Sequence, residues 1–139
     1  MIVVDTSAMV EYLVGRGPTR EAVRATITTE TVAVPHAVDL ECVNAIRRLV
    51  RAGDRDPSDA YAAVVLLRSM PLERYGHTGL LPRIWELRQN MWPYDAAFVA
   101  LAEAFDAPLV TVDSKFEGVP GLRCDVRNLR VDRGPRFEL

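Results

Sequence analysis

The sequence predicts an α/β fold built on a central, mostly parallel sheet, and three observations carry that expectation. Short apolar runs, Ile2-Val3-Val4 and Leu109-Val110-Thr111-Val112, each stop at an aspartate, the pattern of strands buried on both faces. Between such runs lie longer stretches whose apolar residues recur at helical spacing. The two kinds alternate along the chain, as in strand–helix–strand units that feed a parallel sheet and cover it on both sides. At 139 residues the chain is expected to be one domain, 1–139, without repeat or linker.

Taken in order, Ile2-Val3-Val4 is a buried strand, and Asp5-Thr6-Ser7 leads into a helix bearing Met9, Val10, Leu13 and Val14, with Ser7 the expected N-cap. Gly15-Arg16-Gly17-Pro18 interrupts it, and Pro18 suits the first position of a second helix. Val32-Ala33-Val34-Pro35 is a short strand ended by proline. A long helix from about His36 to Ala52 closes at Gly53, and another starts near Pro57-Ser58-Asp59 and runs through Ala62, Val65 and Leu66. Leu72-Glu73-Arg74-Tyr75 is an expected edge strand. A helix over Leu81 to Asn90 stops before Trp92-Pro93, Asp95 opens an alanine-rich helix to about Phe105, and Leu109 onward repeats the form of the first strand.

Composition removes several function classes. With 49% hydrophobic and 26% charged residues, the chain is no disordered tail or low-complexity scaffold. No apolar run approaches the ~18 residues of a membrane span. Met1-Ile2-Val3-Val4-Asp5 lacks the basic residues that open a signal peptide, so a cytoplasmic protein without membrane contact is expected. Cys42 and Cys124 form no CxxC and read as reduced thiols. His36 and His77 are too few for zinc, and Gly15-Arg16-Gly17 is too short for a phosphate-cradling loop. A net charge of −2, from 17 basic and 19 acidic residues, argues against coating nucleic acid by bulk attraction. Nearly all the basic residues are arginine, whose planar fork suits phosphate, although genomic base composition explains the same bias.

Four acids stand out by position. Ligands of an open parallel sheet bind beyond the carboxyl ends of its strands, where Asp5 and Asp113 fall. Each also suits a turn or cap, and as neighbours they would repel unless a cation or proton intervened. On a helical wheel, Glu41 borders a buried arc of Val38, Cys42, Val43, Ile46, Leu49 and Val50, with Asn44, Arg47, Arg48, Arg51 and Arg55 opposite. Asn44 and Ala45 stand at i+3 and i+4, so Glu41 has no intrahelical cation. That suits a metal ligand at the rim of a phosphate groove, and equally a solvated glutamate. Asp39 falls among the buried residues, and its first-turn position favours a cap. Asp95 opens a helix apolar almost all round, which must be buried against the sheet, though capping alone explains an aspartate there. Together Asp5, Glu41, Asp95 and Asp113 suit a hard divalent ion, Mg²⁺ or Mn²⁺, which takes oxygen ligands and retains waters. Such an ion serves phosphodiester hydrolysis, and the slightly basic remainder of the chain suits a nuclease. Trp85, Trp92, Tyr94, Phe98 and Phe105 are expected in the core from their spacing, Trp92 and Tyr94 being the pair beside Asp95 that could stack on bases.

Four segments carry a resemblance: Ile2-Val3-Val4-Asp5-Thr6-Ser7-Ala8; Leu40-Glu41 through Asn44 and Arg48; Tyr94-Asp95-Ala96-Ala97-Phe98-Val99-Ala100-Leu101-Ala102-Glu103; and Leu109-Val110-Thr111-Val112-Asp113-Ser114-Lys115-Phe116. In this order they resemble the PIN-domain ribonucleases, and within them the VapC toxins of bacterial VapBC toxin–antitoxin systems. The resemblance implies a three-layer α/β/α PIN-like fold and a Mg²⁺- or Mn²⁺-dependent endoribonuclease. It assigns metal binding to Asp5, Glu41, Asp95 and Asp113, with Thr6, Ser7, Thr111 and Asn44 in support. It implies a homodimer, silenced by a VapB antitoxin whose C-terminal segment wraps the toxin. Arg47, Arg48, Arg51 and Lys115 are candidates for contact with RNA phosphate. Some PIN domains carry a further acid after the last aspartate; here Lys115 stands two residues on and Glu117 four on, so one metal ion and two both stay open. An antitoxin is expected to cover Met9, Tyr12, Leu13, Val23 and Ile27 and to place an arginine on the acids. Two other functions stand beside this one. One is a catalytically silent PIN-fold interaction module. The other is a phosphatase with Asp5 as nucleophile, although Asp5-Thr6-Ser7 lacks the second Asp of a DxD pattern.

Overall fold

The computed structural model describes residues 1–131; residues 132–139 of the expected domain lie outside the described residues. Its strands are β1 (Ile2–Val4), β2 (Val32–Pro35), β3 (Glu73–Tyr75), β4 (Leu109–Thr111) and β5 (Val126–Asn128). They pair in the order β3-β2-β1-β4-β5, and every pairing is parallel. Val3 is opposite Ala33 on one side and Leu109 on the other. The chain winds outward from β1 in both directions, so the strand order reverses between β1 and β4. That is where an open parallel sheet forms its ligand crevice, and Asp5 and Asp113 follow these two strands.

The helices are α1 (Thr6–Val14), α2 (Pro18–Ile27), α3 (Ala37–Arg51), α4 (Pro57–Ser69), α5 (Leu81–Glu86) and α6 (Pro93–Ala104). α1 packs with α2, α3, α4 and β4, whereas α6 packs with α5 and lies across β1, β2 and β4. The result is the expected α/β/α layering. Ala96 through Ala102 are all buried, because small side chains let α6 approach the sheet closely. Phe98 anchors it at 1% exposure, a burial that stabilises by roughly 1.5–3 kcal/mol. Among the described residues, no helix is long and apolar enough to cross a membrane.

Several local expectations are corrected. Asp5, not Ser7, caps α1: its backbone is extended and its carboxylate accepts the Ala8 amide at 3.0 Å. Ser7 lies inside the helix and gives its hydroxyl to that carboxylate. α5 ends at Glu86 rather than Asn90, where i→i+3 bonds such as Arg88 N–H to Trp85 O (3.1 Å) replace the helical ladder. α6 starts at Pro93, which needs no amide partner there, and Asp95 therefore sits within its first turn. Val43 faces outward. Asp39 is no cap but a bidentate partner of Arg74 (2.8 and 3.0 Å), tying α3 to edge strand β3. Met9, Val23 and Ile27 are buried and belong to the core, so of the five residues expected beneath an antitoxin Tyr12 and Leu13 are the two that stay partly exposed. Conversely, Trp85, Trp92, Tyr94 and Phe105 are exposed instead of packed inside, and of the five aromatics only Phe98 is in the core.

Candidate active site

Asp5 emerges from β1 into the crevice at only 1% exposure. A buried carboxylate is tolerable only when its oxygens are satisfied, and here every support is local to β1, α1 or β4. Oδ1 accepts the Ala8 amide (3.0 Å) and the Ser7 hydroxyl (2.8 Å), and Oδ2 accepts the Thr111 hydroxyl (2.8 Å). Ser7 Oγ in turn accepts the Val112 amide at 3.2 Å, and Thr111 Oγ1 accepts the Asp113 amide at 3.0 Å. The hydroxyls of Ser7 and Thr111, expected near the acids, therefore fasten the end of β1 to the end of β4. Burial pushes the Asp5 carboxyl up to about 6, even though these hydrogen bonds pull the other way.

Glu41 is half-buried on α3 and accepts the Thr6 hydroxyl at 2.7 Å. Burial raises its pKa; the Thr6 bond opposes the shift and nearby Asp95 reinforces it. Asp113 caps the single turn Ser114–Phe116 and accepts the Lys115 amide at 3.0 Å. That turn brings the Lys115 ammonium to 3.0 Å from Asp95 Oδ1 and 4.0 Å from Asp113 Oδ2. Lys115 also acts electrostatically on Asp5 and Glu41. Burial draws its own pKa down, but Asp95, Asp5 and Asp113 together outweigh this and raise it. Lys115 thus contacts Asp95 and Asp113 directly and acts on Asp5 and Glu41 at longer range, although the four acids come from two strand ends and two helices.

Thr6, Glu41, Asn44, Ala45, Trp92, Asp95 and Lys115 line a cleft here. Asp5 is buried off its wall, next to Thr6 in the chain. Among the described residues, no three His, Cys, Asp or Glu side chains are grouped closely enough to hold an ion between them. The donor set nevertheless fits a hard cation. All its atoms are oxygen, and Mg²⁺ commonly takes one or two carboxylates while keeping several waters, which Glu41 and Asp95 on the cleft wall provide. As a nucleophile Asp5 is badly placed, because both its oxygens are bonded and it has almost no exposure.

Arg47, Arg48 and Arg51 are exposed on α3. At about 100° per residue, Arg48 lies nearly in line with Glu41, whereas Arg51 and Arg47 turn progressively away. Lys115, a candidate for contact with RNA phosphate, lines the cleft and engages the acids. Glu117 points elsewhere, to Asn128 Nδ2 at 3.1 Å. Asn128 is the residue that sequence reasoning missed. From β5 its side-chain amide also donates to the Asp113 carbonyl at 3.2 Å, while the Leu129 amide donates to Thr111 O. Trp92, on the cleft wall, is 67% exposed and stacks on Tyr94 with ring centroids 6.2 Å apart.

Comparison with known proteins agrees with this architecture. A family model described as the PIN domain matches residues 2–122. Ribonuclease VapC1 of Mycobacterium tuberculosis is 37% identical over 129 residues, 92% of this chain and 97% of the relative. Ribonuclease VapC9 of the same species is 38% identical over 126 residues, 91% and 96% of the two chains. Among solved structures, VapBC2 from Rickettsia felis, bound to a DNA fragment from its promoter, superposes with a TM-score of 0.67 at 18% identity, covering 92% of this chain and 98% of the other. VapC20 of Mycobacterium tuberculosis, a toxin that cleaves the sarcin–ricin loop, gives 0.65 at 18% identity, covering 86% and 96%. At such identities these two likenesses concern the fold.

Proposed function

The chain belongs to the PIN-domain family, within its VapC ribonucleases, and we propose that it is the toxin of a type II toxin–antitoxin pair, an endoribonuclease that hydrolyses RNA phosphodiester bonds with Mg²⁺ or Mn²⁺. The observation that carries this is the cleft beside the point where the strand order reverses, whose wall holds Glu41 and Asp95, with the Lys115 ammonium 3.0 Å from Asp95 and 4.0 Å from Asp113 and with Asp5 buried next to Thr6. Glu41 and Asp95 would hold the metal from the cleft wall, with Asp5 and Asp113 beside them. When bound, the metal polarises a phosphoryl oxygen and lowers the pKa of an attacking water. The chain's own groups position the reaction. Thr6 fixes the orientation of Glu41 (2.7 Å), and Ser7 and Thr111 fix the two oxygens of Asp5 (2.8 Å each). Asn128 holds the Asp113 backbone, and Arg48, one helical face along from Glu41, binds the RNA backbone with Arg47 and Arg51 further out.

The toxin reading also brings a VapB-type antitoxin as partner, supported by the toxin–antitoxin complexes among the structural relatives, and a homodimer as the working unit. An antitoxin arginine reaching the cleft would form bidentate bonds to the same carboxylates. The test is to incubate the purified chain with structured RNA and Mg²⁺ or Mn²⁺. New RNA ends that vanish with EDTA and with Asp95→Asn are expected; undiminished cleavage in EDTA overturns the metal-dependent reading.

A further inference from the structure

Lys115 stands where a resident cation would stand, and it belongs to the chain itself. Its backbone is fastened: the amide donates to Asp113 Oδ1 at 3.0 Å, and the next residue, Phe116, is buried at 2% exposure. The ammonium lies 5.5 Å from the centre of the Phe116 ring. From this anchored base, the flexible four-carbon stem carries the charge to 3.0 Å from Asp95 and 4.0 Å from Asp113, with the side chain 32% exposed. One end is fixed and the other is held by electrostatics and one hydrogen bond, so the ammonium can leave without unfolding the turn. A lysine suits this better than an arginine, since it is a compact point charge and not a planar fork locked to one carboxylate geometry.

We propose that Lys115 is a built-in counter-cation of the acid cleft, which offsets the repulsion among the carboxylates in the metal-free protein and which a divalent ion must displace to reach Asp95. The inference rests on the proposed metal site and adds its regulation. Metal loading becomes a competition within the cleft. A doubly charged ion at the same carboxylates wins at sufficient concentration, because attraction scales with charge. At low metal the ammonium keeps Asp95, and the protein stays folded with the negative charge of the site reduced by one.

The test is calorimetric titration of the metal-stripped full chain with Mn²⁺ for the wild type, Lys115→Met, Lys115→Gln and Lys115→Arg, with thermal melts of each metal-free protein. The two neutral variants are expected to bind Mn²⁺ at least about tenfold more tightly and to melt at a lower temperature without metal. Lys115→Arg, which keeps the charge and can lock onto a carboxylate, is expected to bind Mn²⁺ no more tightly than wild type. Having two neutral side chains guards against one of them failing to fold. If folded neutral variants bind Mn²⁺ no more tightly than wild type, the counter-cation role is overturned while the metal site stands. If no folded form binds Mn²⁺, the metal site itself is overturned and this inference goes with it.

Discussion

Replacing Asp5 by asparagine separates the cost of a buried charge from its use. In the folded, metal-free protein burial lifts the Asp5 pKa from an ordinary 3.8 to about 6, a shift of roughly two units, equivalent to ~3 kcal/mol at 1.36 kcal/mol per unit. The sign follows from proton binding. Between about pH 4 and pH 6 the folded state holds a proton that the unfolded state has lost, so this group's contribution is fully present below the unfolded pKa and is lost as pH rises through about 6. Asparagine keeps the acceptor for the Ala8 amide but presents an NH₂ where the Thr111 hydroxyl donated, and rearranging that buried bond costs ~1 kcal/mol. Asp5→Asn is therefore expected to stabilise the EDTA-treated protein at pH 7.5 by ~2 kcal/mol, about 5–8 °C in Tm. Near pH 4 most of that gain should vanish. Meanwhile Mn²⁺-dependent cleavage should fall at least about 100-fold, ~2.7 kcal/mol in the barrier. Scanning calorimetry at the two pH values and a single-turnover RNA assay provide the measurements. A variant that is destabilised at pH 7.5, or equally stabilised at both pH values, refutes the buried-charge argument.

Two further substitutions test what surrounds the site. Ser7→Ala removes a donor to Asp5 and strands the buried Val112 amide, so urea unfolding should show a loss of ~2 kcal/mol; a loss under 0.5 kcal/mol would mean that the hydroxyl network does not hold the strand ends. Arg83 binds Glu103 at 2.7 and 3.1 Å and also the Gly121 carbonyl, with side chains only 18% and 11% exposed. Arg83→Ala should cost ~2–3 kcal/mol in chemical denaturation while leaving cleavage per folded molecule unchanged; loss of activity without loss of stability would contradict its purely structural place.

How much of this was legible in the sequence depended on distance along the chain. β1, β2 and β4 announce themselves because each is a continuous apolar run, and α2 and α4 because proline marks their first turns. β5 escaped because Asp125-Val126-Arg127-Asn128 is a polar, half-exposed edge, and with it went the support that Asn128 gives to Asp113. Asp5 and Ser7 are both good caps two residues apart, so local propensity alone could not choose between them. The strand-end positions of Asp5 and Asp113 were visible, but their meeting with Glu41 and Asp95 depends on sheet order and on where α6 crosses the strands. Lys115 is the sharpest case. Its partner Asp95 lies twenty positions away, and only the turn after β4 shows that the side chain folds back into the cleft. The exposed Trp92 and Tyr94 escaped for another reason: helical spacing is the same whether a face meets the core or solvent.

The central claim, that these four acids form one metal-dependent nuclease centre, is tested most directly by Mn²⁺ anomalous diffraction from crystals of the chain, alongside RNA cleavage by the same preparation. The expected map has an anomalous peak in the cleft against Glu41 and Asp95, with the Lys115 ammonium withdrawn from Asp95, in protein whose cleavage stops in EDTA. A preparation that cleaves RNA with Mn²⁺ and yet shows its ion bound away from these carboxylates contradicts the account.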